Sequence, residues 1–132
     1  MKKLIVTVPG KPFEDVWEDE SYKWRYEVRP ASLDDELTAA SALGVSDVNK
    51  MAPGSIDFFR SLHEIARKHV VRIVSVTNGD GSEVEMSFEN EDVRVIKGEK
   101  LARLVVGYKH LGIAIGTAAR SQPSRIEEER GN

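Results

Sequence analysis

From Ser55 to Thr77 the sequence reads SIDFFRSLHEIARKHVVRIVSVT, the longest window in the chain with a sustained helical spacing of apolar residues. Phe58 or Phe59, Leu62, Ile65 or Ala66, Val70, Ile73 and Val76 recur three or four apart, so they share one side of a helix that a fold has to bury. Pro53-Gly54-Ser55 marks the start, with Ser55 capping free amide groups and Asp57 placed where the helix dipole favours an acid. Asn78-Gly79-Asp80-Gly81 marks the stop. The second half, HVVRIVSV, is rich in β-branched residues and suits a strand equally well. The spacing predicts helix to about Val71 and leaves residues 70–76 open between helix and strand.

A chain of 132 residues fits one domain with a core that needs neither metal nor crosslink. With no cysteine, disulfides, zinc–thiolate sites, iron–sulfur clusters and thiol nucleophiles are excluded. Nineteen basic and twenty-two acidic residues, interspersed, give a net charge of −3. Such a chain has no strongly positive field to hold a phosphate backbone, so nucleic acid is not an expected partner. The N-terminal run LIVTV is too short for a secretory core and lacks a small-residue cleavage site. The most apolar segment, residues 101–119, is broken by Arg103, Lys109 and His110 and falls short of a membrane span. The expected location is the cytosol, away from membranes.

Leu4 to Val8 and Tyr22 to Val28 both alternate at period two and are expected to pair as an N-terminal hairpin. KPFEDVWEDES between them reads as a long acidic loop with Phe13 and Trp17 as anchors. Arg29-Pro30-Ala31 breaks the second strand. Ser32-Leu33-Asp34-Asp35 has capping-box spacing and opens a short helix carrying Leu33, Leu37, Ala40 and Leu43, which Gly44 ends. Residues 45–52 form a polar connection. Beyond the Asn-Gly-Asp-Gly turn, Glu83 to Phe88 alternates as a half-buried strand, and residues 90–96 suit a helical turn or an extended segment. Gly98 interrupts. From Glu99 to about Arg120, Leu101, Leu104 or Val105, Tyr108, Leu111, Ile115 and Ala118 fall in helical register, predicting a second long helix packed on the first. Its glycines at 107, 112 and 116 each cost about 1 kcal/mol in a helix interior, which points to close backbone approach by a neighbour in this chain or another. Residues 1–120 read as a single α+β domain and residues 121–132 as a flexible polar tail. The expected fold is an N-terminal β-hairpin packed on two longer antiparallel helices, with one short helix and a short hairpin or strand.

Several motifs come close to chemistry and stop short. His63-Glu64-Ile65-Ala66-Arg67 begins like a zinc-protease helix, but Arg67 stands where the second histidine ligand belongs. Asn78, Asp80, Ser82 and Glu89 fall at calcium-loop positions one, three, five and twelve, but Glu83 takes the place of the glycine needed at position six. Gly10-Lys11 lacks the upstream glycine of a phosphate loop. Trp17, Tyr22, Trp24 and Tyr26 suit a stacking platform, although a hairpin's inner face accounts for them at less cost. Gly112 and Gly116 have a small-xxx-small spacing that favours helix packing. No cofactor or metal is expected, and no catalytic residue is assigned.

Tyr26-Glu27-Val28-Arg29-Pro30, followed by SLDDELTAASALG and then ARKHVVRIVSVTNGDG, resembles the small tail and baseplate assembly chaperones of phages, over roughly residues 20–115. The long acidic loop and the β-branched stretch 70–76 depart from that pattern. The resemblance implies a non-enzymatic role in virion assembly in the host cytoplasm, as chaperone or minor component of the virion tail. Its implied partner is a tail, hub or tape-measure protein. Leu104, Tyr108, Leu111 and Ile115 are the candidate partner-binding anchors, at the helical spacing that helix-in-groove recognition uses; their alternative is the internal core. Homo-oligomerisation is compatible with the small-residue face. A small enzyme or ligand-binding α+β domain with a site invisible in the sequence is the alternative reading, and a structural virion subunit that oligomerises is a third.

Overall fold

The computed structural model describes residues 2–6, 11–44, 52, 54–121 and 124–128, the first and last of these as backbone only. In chain order the elements are β1 (Lys2–Val6), β2 (Phe13–Glu18), β3 (Tyr22–Val28), α1 (Leu33–Ala42), α2 (Ile56–His69), β4 (Val70–Asn78), β5 (Ser87–Phe88), β6 (Glu91–Asp92), α3 (Gly98–Gly107), α4 (Lys109–Arg120) and β7 (Ser124–Glu128). The fold is α+β, with an N-terminal hairpin (β2–β3), two longer helices (α2 and α4), two short helices (α1 and α3) and a short hairpin (β5–β6).

Alternation in YKWRYEV makes β3 the middle of a sheet ordered β2-β3-β4. Trp24, Tyr26 and Val28 are fully buried on one face, against the helices, while Arg25 lies exposed on the other. The partner of β3 is not the N-terminal run, as the sequence suggested. FEDVWE, read as loop, alternates just as well and reaches β3 through a tight turn, pairing Phe13 with Val28 through to Glu18 with Lys23. The Asp19 carboxylate closes that turn by accepting the Ser21 and Tyr22 amides at 2.8 and 2.6 Å. Lys2–Val6 pairs instead with Ser124–Glu128 in a separate antiparallel ladder. The stretch expected as an unstructured tail thus contains a strand; residues 122–123 and 129–132, like most of the expected 45–52 connection, lie outside the described part.

The helical spacing of 55–77 is obeyed only as far as His69. Ser55 caps the Phe58 amide, and after His69 the backbone turns extended at Val70 without a loop. The β-branched run then pairs with β3, with irregularities opposite Arg25/Tyr26 and Glu27/Val28. Those irregularities explain why Val70, Ile73 and Val76 are buried at a spacing of three, which imitates a helix in the sequence. The joint is tied by the Arg29 amide donating to the His69 carbonyl at 2.8 Å, and by Ala31 donating to Ala119 of α4 at 2.9 Å. The expected alternation of 83–88 is present as burial, with Val84, Met86 and Phe88 half-buried. Only Ser87–Phe88 forms a ladder, with Glu91–Asp92.

A single helix over 99–120 is not what forms. It breaks at Tyr108, whose backbone (φ −97°, ψ 80°) ends α3 and starts α4. α4 lies antiparallel to α2. Arg120 stacks over Phe58, Gly116 abuts Leu62, and the His63 ring meets Gly112 while its Nε2 lies 2.8 Å from the Lys109 carbonyl oxygen. The close approach expected at the glycines occurs at two of the three, within this chain. A Cβ on Gly112 would stand 2.6 Å from the Val105 carbonyl oxygen, and one on Gly116 would meet the Leu62 carbonyl group still more closely, whereas Gly107 has open space. Such tightness makes Gly116→Ala destabilising by about 1–3 kcal/mol through overpacking. Gly107→Ala is expected to stay within about 1 kcal/mol of the parent; denaturant midpoints check both.

The α1 capping box forms in full: Ser32 Oγ accepts the Asp35 amide and the Asp35 carboxylate accepts the Ser32 amide at 2.8 Å. That amide, aided by the Ser32 hydroxyl, His69 and Lys68, holds the Asp35 carboxyl below its ordinary value against the opposing effect of burial. A depressed folded-state pKa stabilises the fold above the unfolded value, and that contribution is lost as pH falls through the folded one. Ser32→Ala is expected to cost about 1 kcal/mol. Asp35→Asn should flatten the decline in stability below about pH 4, as read from urea midpoints in acid.

Candidate functional site

The four residues singled out as anchors do not share a surface. Leu104, Leu111 and Ile115 are 5 %, 0 % and 0 % exposed, which places them in the core of this chain, the alternative weighed for them. Tyr108 is 37 % exposed. Its ring lies 5.2 Å from that of Trp24 and 6.3 Å from that of Trp17, edge-on to the latter, and its hydroxyl donates to Asp19 at 3.2 Å. Burial, and then Asp19 itself, push the Tyr108 phenol up. At Asp19 burial acts upward, but the Tyr22 and Ser21 amides and the Tyr108 hydroxyl outweigh it and hold the carboxyl below its usual value. Tyr108 therefore fastens the α3–α4 break to the β2–β3 turn.

The motifs that stopped short of chemistry are occupied structurally. Arg67, in the second-histidine position, forms a two-pronged pair with Glu64, whose carboxyl it holds down. Asp80 and Ser82 bond to one another across the turn at Asn78, while Glu89 pairs with Arg103 of α3. Asp92 is held down to about 2 by Arg94, which also reaches Glu83. Among the described residues no three histidine, aspartate or glutamate side chains gather as a metal set, and no helix is long and apolar enough to cross a membrane. The aromatic platform is divided: Trp24 and Tyr26 are buried, and Trp17 and Tyr22 are half-buried.

Among the described residues, two concave surfaces lie beside β2. One is a polar hollow of about 490 Å³ beside the β2–β3 turn, walled by Glu18, Asp19, Lys23, Arg25, Thr77 and Asn78 among others. The other, of about 410 Å³, runs between β2 and α4. Its strand wall is Asp15, Val16 and Trp17, and its helix wall is His110, Ile113, Ala114, Thr117 and Ala118. The buried Tyr26 hydroxyl donates to Asp15 at 3.2 Å in this groove, and burial followed by that carboxylate pushes the phenol far up.

Along the groove β2 has β3 as its one paired neighbour among the described residues. Asp19 N–H donates to Tyr22 O at 2.9 Å, which sets the hairpin's alternation. Phe13, Asp15 and Trp17 then exchange main-chain bonds with β3, and the main-chain groups of Glu14, Val16 and Glu18 face the open side. Sequence reading missed this site because five acids between Phe13 and Glu20 suggested a loop. Period two was nonetheless present, in Phe13, Asp15 and Trp17 against Glu14, Val16 and Glu18.

Compared with known proteins, the chain matches no family model, no curated protein and no solved structure.

Substitution separates the two kinds of anchor. Leu111→Asp should prevent folding, since it buries an unpaired carboxylate. Tyr108→Phe should remain folded and lose about 1 kcal/mol or less with its exposed hydrogen bond. Circular dichroism and thermal unfolding of the two variants distinguish these outcomes.

Proposed function

We propose that this chain is non-enzymatic and works by binding another polypeptide, as an assembly protein of a phage tail or baseplate in the host cytoplasm. It acts there as a chaperone or as a minor component of the virion tail. The observation that supports the binding half of this reading is the edge of β2 that, among the described residues, no strand pairs with, beside the groove walled by Ile113, Ala114 and Ala118. Strand edges and apolar grooves are the two features by which folded domains hold extended or helical segments. The viral setting, and a tail, hub or tape-measure protein as partner, come from the likeness of the segments 26–30, 32–44 and 66–81 to phage assembly chaperones.

A second reading, a small-ligand-binding domain, is favoured by one observation. The polar hollow at the β2–β3 turn brings Glu18, Asp19, Lys23 and Arg25 together around about 490 Å³, a volume in the range of small-molecule sites.

A photoreactive amino acid at position 113, in the groove, tests the primary reading against the same group at position 95, which is exposed elsewhere. In cells producing phage, position 113 is expected to crosslink a tail, hub or tape-measure protein and position 95 is not. Equal labelling from both positions, or no tail component from position 113, would count against the proposal.

A further inference from the structure

Glu14, Asp15, Glu18, Asp19 and Glu20 lie within the eight residues 13–20, which contain no basic residue. On the outer face the bases of β3 answer them weakly. Lys23 Nζ is 3.8 Å from Glu18 and Arg25 Nε is 4.0 Å from Glu14, all with side chains 44 % exposed or more. Pairs that long and that wet contribute little, so both carboxylates stay available to a further cation. On the inner side the groove is walled by Ile113, Ala114 and Ala118. The opposite edge of the sheet is closed at its end by its own chain, where Val84 N–H donates to Val76 O at 2.8 Å and Glu83 bridges Thr77.

Resting on the polypeptide-binding reading above, we propose that the open edge of β2 takes up, as a fourth strand, an extended partner segment alternating basic and apolar residues. Glu14, Val16 and Glu18 supply the main-chain bonds. A strand added there sends alternate side chains to opposite faces. One set lies over Ile113, Ala114 and Ala118, and the other lies beside Glu14 and Glu18, where opposite charges across strands attract. A second copy of this chain is a poor occupant. Antiparallel pairing of two β2 edges centred on Val16 sets Glu14 against the other copy's Glu18 twice over, and like charges directly opposite repel.

The test is a titration of the isotopically labelled full chain at low salt with two end-capped peptides of about seven residues. One alternates lysine with valine and the other glutamate with valine. The lysine peptide is expected to bind about tenfold or more tightly than the glutamate peptide, shifting the amide signals of Glu14, Val16 and Glu18, and to weaken as salt is added. Val16→Pro removes an outward N–H at an edge position that tolerates proline and should weaken binding about tenfold with the fold intact. The double variant Glu14→Lys, Glu18→Lys should reverse the preference between peptides. Equal affinity for both peptides, no binding up to about 1 mM, shifts confined to other residues, or indifference to Val16→Pro would overturn the proposal. Crosslinking from position 113 keeps the two claims apart. If a tail component is still captured by the Val16→Pro chain, polypeptide binding stands and strand addition falls; if the parent chain captures none, the wider reading falls.

Discussion

The fold depends on how closely α4 lies against α2. Without a side chain on Gly116 or Gly112, the α4 backbone settles against the carbonyls of Leu62 and Val105 and against the His63 ring. At that distance Leu111, Ile115, Ala118 and Ala119 are brought into one core with Trp24, Tyr26 and Val28 of the central strand. Two glycines in one helix lower its intrinsic stability, and close packing of the surrounding side chains offsets the loss.

A second constraint is the joint at His69 and Val70, where a helix becomes a strand with no intervening loop. Such a joint leaves little freedom between α2 and the sheet. The Arg29 amide extends the β3–β4 ladder to the His69 carbonyl, the His69 Nδ1 lies 3.2 Å from the Arg29 carbonyl oxygen, and Ala31 binds the end of α4. At the far side Arg120 donates to Glu36 of α1 while stacking over Phe58. The Arg29-Pro30 segment is thus where β3, α1, α2 and α4 are tied together.

Much of this was legible in the sequence. Ser32 with Asp35 announced α1, Ser55 announced α2, alternation announced β3, and Gly112 and Gly116 announced a close neighbour. What stayed hidden followed from two ambiguities. Irregular pairing in β4 buries every third residue, so Val70, Ile73 and Val76 carried a helical period while forming a strand. Three acids among its six residues, Glu14, Asp15 and Glu18, gave β2 the composition of a loop, although its burial keeps a strand's alternation. The break at Tyr108 was invisible because Leu104, Tyr108 and Leu111 keep helical spacing across it; the aromatic contacts that hold the break come from Trp17 and Trp24, distant in the chain. The groove between β2 and α4 was unreadable for the same reason, since neither wall was identified as facing the other.

On the polypeptide-binding reading, the working part is the outer edge of β2, held in place by its ladder to β3. Amide hydrogen exchange along β2 measures that arrangement most directly. The account predicts alternation: slow exchange at Asp15 and Trp17, whose amides bond to β3, and fast exchange at Glu14, Val16 and Glu18, with Trp24 and Tyr26 among the slowest in the chain. Uniformly slow exchange from Phe13 to Glu18 would mean that another strand already covers the edge, and uniformly fast exchange would mean that β2 is not a strand; either result contradicts the account.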